Sequence, residues 1–246
     1  MDFRYHFTRT ALLREAVTTV AAVLAYFLVR GLTEGSVSLA VENARRVQEA
    51  EEALGLAWEW AVQEALIEHD WVVTFANWVY IFGHWPVIAC GGLWLAMRHP
   101  RSYFLTRNAF LISGLIGLVI FVAFPTAPPR LAESGLIDTV TQRSNAYRFL
   151  QPPTLVNQYA AMPSLHFGWD LLLGIGLAGA LQRRVLRVLA VLLPAFMAIA
   201  VIATANHYVL DVIAGGAVAL AGLWVAVEIR PRSPDWLWGG APRDAR

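Results

Sequence analysis

Six stretches of this 246-residue chain are long and apolar enough to cross a lipid bilayer, and that constrains the fold more than any motif does. A spanning helix needs about 20 mostly apolar residues, because hydrocarbon offers no partner for backbone N–H and C=O groups. The stretches cover about 15–32, 71–97, 106–124, 165–181, 185–204 and 208–228. Charged residues make up 15% of the chain, against about 25% in soluble domains. An ordinary water-soluble globule and a disordered chain are both excluded. The net charge of +1 argues against nucleic acid as a partner. The expected fold is all-α: a polytopic membrane protein with six transmembrane helices. It forms one membrane-embedded domain over 1–230, with a cytoplasmic tail over 231–246.

All 19 basic residues are arginines, and their placement orients the spans. With the N-terminus cytoplasmic, 13 arginines fall on inner segments and 6 on outer ones. Both termini are therefore expected in the cytoplasm of a cell whose plasma membrane holds the protein. Two long loops, about 33–70 and 125–164, face outward. The single cysteine, Cys90, cannot form an internal disulfide and reads as a small buried hydrophobe.

The first outer loop has no proline from about 38 to 68, and Val47, Leu54, Trp58, Ala61 and Ala65 recur at helical spacing. We expect one helix there, at the interface or against the bundle. Its eight acidic residues, from Glu42 to Asp70, read as a solvated face with no part in chemistry. The second outer loop holds six prolines over about 40 residues, a length that is usually functional or disordered. Trp71, Trp85 and Trp169 read as interface anchors.

Three polar segments fall at one level on the outer side. They are Phe124-Pro-Thr-Ala-Pro-Pro-Arg130, Met162-Pro-Ser-Leu-His166 and Asn206-His-Tyr-Val-Leu-Asp211. Polar groups near lipid are costly and mark function. His207 and Asp211 are four apart and are expected on one helix face. A carboxylate on one imidazole nitrogen fixes the tautomer and frees the other nitrogen to attack or to accept a proton. Pro163 suits the first turn of a helix, which would leave the amides of Ser164 and Leu165 as free donors to an anion. His166 could protonate a leaving oxygen, and Arg130 could clasp a phosphoryl group with two donors. The rival chemistry is a metal held by His166, His207 and Asp211, although the helix-start amides and Arg130 would then repel the cation.

Other polar residues lie nearby. Asn77, Tyr80 and His84 share a face of the second span, either lining a substrate cavity or bonding between helices. Asp170 either orients His166 or pairs with another buried group. Arg143 and Arg148 either fold back to add charge or face water. A transporter with histidine proton relays would show repeated halves, and no internal repeat is present.

The ordered trio Pro-Pro-Arg130, Pro-Ser-Leu-His166 and His207-Tyr-x-x-Asp211 resembles the type 2 phosphatidic acid phosphatase superfamily, over roughly residues 70 to 220. Tyr208 and Gly215-Gly216 look most like its inositol phosphorylceramide synthase branch, which transfers headgroups. The resemblance implies a six-span enzyme acting on lipid phosphates or phospholipids without metal or cofactor. It implies His207 as nucleophile, Asp211 as its orienting acid and His166 as general acid and then base. Arg130, Ser164 and the Leu165 amide would hold the phosphoryl oxygens. The chain departs from the phosphatase pattern at Ala123 and Val201, where a lysine and an arginine are expected, and at Leu165, where glycine is usual. Those departures favour the transferase branch.

Overall fold

The computed structural model describes residues 9–32, 36–132, 134–143 and 157–229; the tail expected over 231–246 lies outside them. Among the described residues ten α-helices follow one another: α1 (Arg9–Leu32), α2 (Val37–Leu54), α3 (Glu59–Ile67), α4 (Asp70–Phe82), α5 (Trp85–Arg98), α6 (Pro100–Ala123), α7 (Thr139–Arg143), α8 (Leu165–Ala180), α9 (Arg184–Ala203) and α10 (Val209–Glu228). Among the described residues the one β-bridge joins Thr126 to Ala160.

The helices turn apolar side chains outward and polar ones inward. Leu115, Val188, Phe196 and Trp224 are exposed, whereas His84, Asp170 and Asp211 are buried. That inversion of the soluble pattern is what a lipid solvent selects. Helices α6, α9 and α10 are each long and apolar enough to cross a bilayer, and α4 with α5 makes a fourth if counted as one span. Helix α8 is apolar with 16 residues, about 24 Å at helical rise. Cys90 does not sit in the core as expected; it is exposed on α5, where an apolar thiol suits an outward, lipid-like surface.

The second apolar stretch is not one helix. It breaks between Phe82 and Trp85, and its halves meet at 49°. Pro86 explains the break: it lacks the N–H that would reach the Phe82 carbonyl, and its ring crowds that carbonyl. The break puts His84, 2% exposed, at the bend.

Small residues set the helix crossings. A Cβ on Gly215 of α10 would stand 2.1 Å from the Ser164 carbonyl oxygen, and one on Gly168 of α8 would stand 2.6 Å from the Gly215 carbonyl. Gly174 meets the Ala190 carbonyl of α9 at 2.5 Å in the same sense, and Gly222 meets the Ala109 carbonyl of α6 at 2.8 Å. Backbones that close can exist only without side chains between them.

The outer segment also departs from expectation. It is two helices, broken where Gly55 adopts φ +69° as the C-cap of α2. Its buried stripe is Ala40, Asn43, Ala44, Val47 and Glu51, while Leu54 and Trp58 are exposed. Asn43 donates to the Pro125 carbonyl (2.8 Å) and Ala127 donates to the Ala40 carbonyl (3.0 Å). Helix α2 therefore packs on the proline-rich connection after α6.

Of the three tryptophans expected as anchors, Trp71 is 75% exposed. Trp169 is instead core: it packs on Tyr26, Trp85 and Phe110, and its N–H donates to Ser113 Oγ (3.2 Å). Beside this aromatic cluster a groove of about 710 Å³ runs between α1, α5 and α6. Its walls include Tyr26, Trp85, Gly92, Phe110 and Leu115, and the ion-paired Glu15 and Arg107 also line it.

The crossing of α8 and α10 yields a direct test. Gly215→Ala must push the Ser164 carbonyl aside and is expected to cost about 1–3 kcal/mol. Gly179→Ala, with open space around its Cβ, should be near neutral. Thermal unfolding of the two variants in detergent decides; equal midpoints would contradict the crossing.

Candidate active site

The three polar segments, far apart in sequence, meet at the N-terminal ends of α8 and α10. The first enters through a 3₁₀ turn at Pro129–Leu131. Arg130 is fixed twice there: its backbone N–H donates to the Ala205 carbonyl (3.0 Å) and its Nε to Asn206 Oδ1 (3.0 Å). Its Nη1 lies 3.6 Å from Asp138 Oδ2. Asn206 is itself held, since its Nδ2 donates to Thr204 Oγ1 (2.9 Å) and to the Thr204 carbonyl (3.2 Å).

The chain reaches His207 by a tight reversal after α9. Ala205 takes φ +56°, a left-handed conformation that costs a non-glycine residue about 1–2 kcal/mol. The turn lets the amides of Asn206 and His207 both donate to the Val201 carbonyl (3.0 and 3.1 Å). Val201, where the phosphatase pattern has an arginine, is fully buried against Tyr80, Val140 and Met197.

His207 Nδ1 stands 3.3 Å from Asp211 Oδ2. The expected pair is present, but for a different reason from a shared helix face. Helix α10 begins at Val209, so His207 lies before it and Asp211 is its third residue. Asp211 Oδ2 also accepts the Tyr208 N–H (2.9 Å), an N-terminal capping bond that brings the carboxylate back toward His207. The second nitrogen, Nε2, is left for chemistry.

Ser164 caps α8, its Oγ accepting the Phe167 N–H at 3.5 Å. Pro163 therefore precedes the helix and does not occupy its first turn. The Ser164 amide is not a free donor either: it gives its hydrogen to the Asp211 carbonyl (2.8 Å). The Leu165 amide, at the first helical position, has no intrahelical partner, and its side chain packs where Gly117 leaves room.

His166 follows, with its ring 5.8 Å from that of His207, stacked at 4.8 Å on Tyr80 and 4.5 Å from His84. Asp170 does not orient His166; its Oδ1 pairs with His84 Nδ1 at 3.0 Å. The helical bend explains this, because it turns His84 inward over Asp170, one turn below His166. Tyr80 and His84 thus reach the site through His166. Asn77 does not line it. Its side chain binds the second outer loop, donating to the Thr139 carbonyl (3.0 Å) and accepting from Thr139 Oγ1 (2.9 Å). The side chain of Arg143 and the whole of Arg148 lie outside the described residues.

Two functional-looking groups went unread. Glu51 and Glu59, expected on a solvated face, are 1% and 6% exposed. Glu59 Oε1 accepts the Val209 N–H (2.8 Å) and Glu51 Oε1 accepts the Leu210 N–H (2.7 Å). They satisfy orphan donors at the start of α10. Burial, with Glu59 and Asp211 adding repulsion, pushes the Glu51 carboxyl up to about 8 despite its bond to Leu210. Gln63 ties the connection between α6 and α7 to the same region, accepting from the Ile137 N–H (2.7 Å) and donating to the Ala203 carbonyl (3.1 Å). Spacing alone gave no signal for these; the glutamates stand among many exposed acids. Among the described residues no three His, Cys, Asp or Glu side chains are grouped to hold a metal ion.

Asn206 is the hinge of the arrangement, and its removal is measurable. Asn206→Ala strips Arg130 Nε of its acceptor and leaves Thr204 without its donor. An expected loss of about 1–3 kcal/mol follows from the buried polar groups left unpaired. Urea or thermal unfolding in detergent would check it, and a change within about 0.5 kcal/mol would show the network to be dispensable.

The chain matches the family model described as the PAP2 superfamily over residues 45–225. No curated protein and no solved structure matches it. The matched region begins in α2 and ends in α10, so it contains all three motifs together with Glu51 and Glu59. The chain belongs to the PAP2 superfamily.

Proposed function

We propose that this protein is a membrane enzyme that moves a phosphoryl group from a lipid phosphate or phospholipid through a phosphohistidine on His207. The observation that carries this reading is the buried His207–Asp211 pair facing His166, with Arg130 pinned beside it by Asn206. Asp211 holds Nδ1, so Nε2 is the attacking atom. In the first displacement Nε2 bonds to phosphorus while the bond to the leaving oxygen breaks, and His166 gives that oxygen a proton. In the second, His166 takes a proton from the acceptor, whose oxygen attacks phosphorus and frees Nε2. Arg130, the Leu165 amide and the Ser164 hydroxyl stabilise the charge on the phosphoryl oxygens. The cycle balances without a metal or a cofactor.

The acceptor is water or an alcohol such as inositol. Headgroup transfer is the form that suits Ala123 and Val201, since the patterned phosphatase cations are missing there. A lipid donor is supported by the apolar groove, whose Trp85 and Trp169 pack against His84 below His166. The full arrangement has six spans, adding α1 and α8 to those recognised by length and apolarity. It is one domain over 1–230, in the plasma membrane. Both termini are cytoplasmic, the site opens outside, and α2 and α3 lie at the outer interface.

Purified protein in detergent, given a panel of lipid phosphates with EDTA, each with and without inositol, tests the reading. Free phosphate means hydrolysis; an inositol-containing product means headgroup transfer. His207→Ala should lower either rate by at least about a thousandfold, as loss of a nucleophile does. Full turnover in that variant would sink the mechanism, and activity that needs added zinc would replace it with metal chemistry.

The groove gives a second measurement. A Cβ on Gly92 meets no atom within 4 Å, so Gly92→Phe fills the groove without displacing backbone. Turnover of a long-chain phosphate relative to a short soluble ester should fall by about tenfold or more, or about 1.4 kcal/mol. An unchanged ratio would place the lipid tail elsewhere.

A further inference from the structure

The mechanism above uses neither Glu51 nor Glu59, yet both are buried against the catalytic helix. They come from different helices, α2 and α3, and each takes one of the first N–H groups of α10. Those two N–H groups, on Val209 and Leu210, lie between His207 and Asp211 in sequence. Whatever holds them holds the segment that sets the His207–Asp211 separation.

The start of a helix favours negative charge, but by an amount suited to about one anion. Here three carboxyl groups converge. Glu59 faces Glu51 from α3, Asp211 faces it from α10, and the Tyr208 ring packs against α2 beside them. The arginines of α2 offer no relief: Arg45 and Arg46 pair with Glu49 and Glu42 on the exposed face. Glu51 Oε2 is buried and accepts no hydrogen bond. As a carboxylate oxygen it would sit bare in a site with two other acids. As a protonated oxygen it can donate toward Glu59, which adjoins it. A buried acid pair that shares one proton satisfies both geometry and charge.

We propose that Glu51 and Glu59 form a proton-sharing clamp on the first turn of α10, positioning His207 against Asp211, and that loss of the shared proton slackens the site. The clamp makes the enzyme sensitive to alkaline conditions on the face where α2 and α3 lie. As a statement about turnover it rests on the phosphoryl-transfer reading; as a statement about His207 it does not.

The sign of the pH effect follows from the direction of the shift. Glu51 holds its proton in the folded protein up to about 8, and in the unfolded chain only up to the ordinary 4.5. Between those values the folded state binds more protons, so stability falls as pH rises and levels off above about 8. The loss approaches about tenfold in the folding constant per pH unit.

The experiment compares wild type with Glu51→Gln, whose amide imitates the protonated acid: it accepts from Leu210 and donates toward Glu59. Three readouts are taken across pH 6 to 10, roughly bracketing the transition: turnover, thermal midpoint, and the Nδ1–H resonance of His207 in ¹⁵N-histidine-labelled protein. Wild type should lose turnover in kcat above the transition, by about tenfold per pH unit. Its His207 resonance should weaken over the same range. Glu51→Gln should keep both at high pH and show a flat midpoint. Glu59→Gln removes the second charge and should flatten the same limb, so it serves if Glu51→Gln does not fold. Identical pH profiles in wild type and variant would overturn the clamp. If wild type turns over no phosphate ester at all, the phosphoryl-transfer reading fails, while the resonance and the midpoint still decide the clamp.

Discussion

Everything in the site hangs on how closely α8 and α10 approach. Gly168 and Gly215 let the two backbones touch, and the Ser164 N–H closes the contact on the Asp211 carbonyl. One hydrogen bond thus joins the second motif to the third, at the residue whose side chain steadies His207. The first motif is attached to the same point by the Arg130 N–H on Ala205 and its guanidinium on Asn206. Motifs separated by some 35 to 40 residues of chain become one surface because two glycines remove what would stand between them. Packing of this kind does not need a hydrophobic driving force, which lipid cannot supply.

The second constraint is charge. Buried ionisable groups are costly unless partnered, and this chain buries Glu51, Glu59, His84, Asp170, His207 and Asp211. They are arranged as neighbours: His84 with Asp170, His207 with Asp211, and the two glutamates on helix N–H groups. The aromatic layer of Tyr26, Phe110 and Trp169 lines the groove and borders this polar stratum. The stacked rings of Tyr80 and His166 belong to the polar side of that boundary. The result is a molecule whose apolar exterior and polar interior are separated by residues able to face both.

Much of the architecture was legible because lipid imposes a simple rule on length and apolarity. The stretches about 106–124, 185–204 and 208–228 correspond closely to α6, α9 and α10. The convergence of Arg130, Ser164 and His207 was legible too, since polar residues at one depth have few places to go. Local geometry was not. Periodicity placed His207 and Asp211 on a helix, whereas the capping bond of Tyr208 starts α10 two residues after His207. Pro163 fitted a first helical turn, but Ser164 is the better cap. Asp170 could orient His166 or pair with another buried group, and the Pro86 bend brings it His84. Trp169 looked like an anchor because tryptophan is common at interfaces; its burial depends on Gly114, against which its ring packs. The two glutamates were hidden among exposed acids, because a charge run read in one dimension does not say which member turns inward.

The long reach of those two glutamates bears on how the chain is made. Their partners are 150 and 159 residues further on, at the start of α10. A ribosome releasing the chain from its N-terminus produces both acids long before the groups that satisfy them. Until α10 arrives, α2 and α3 carry two carboxyl groups whose N–H partners are not yet present. The arrival of α10 therefore brings the third motif and the partners of both glutamates in one event. Closure depends on contacts of very high sequence separation, the kind that slow folding. The two glutamates and the His207–Asp211 pair therefore acquire their final surroundings together, when α10 is in place.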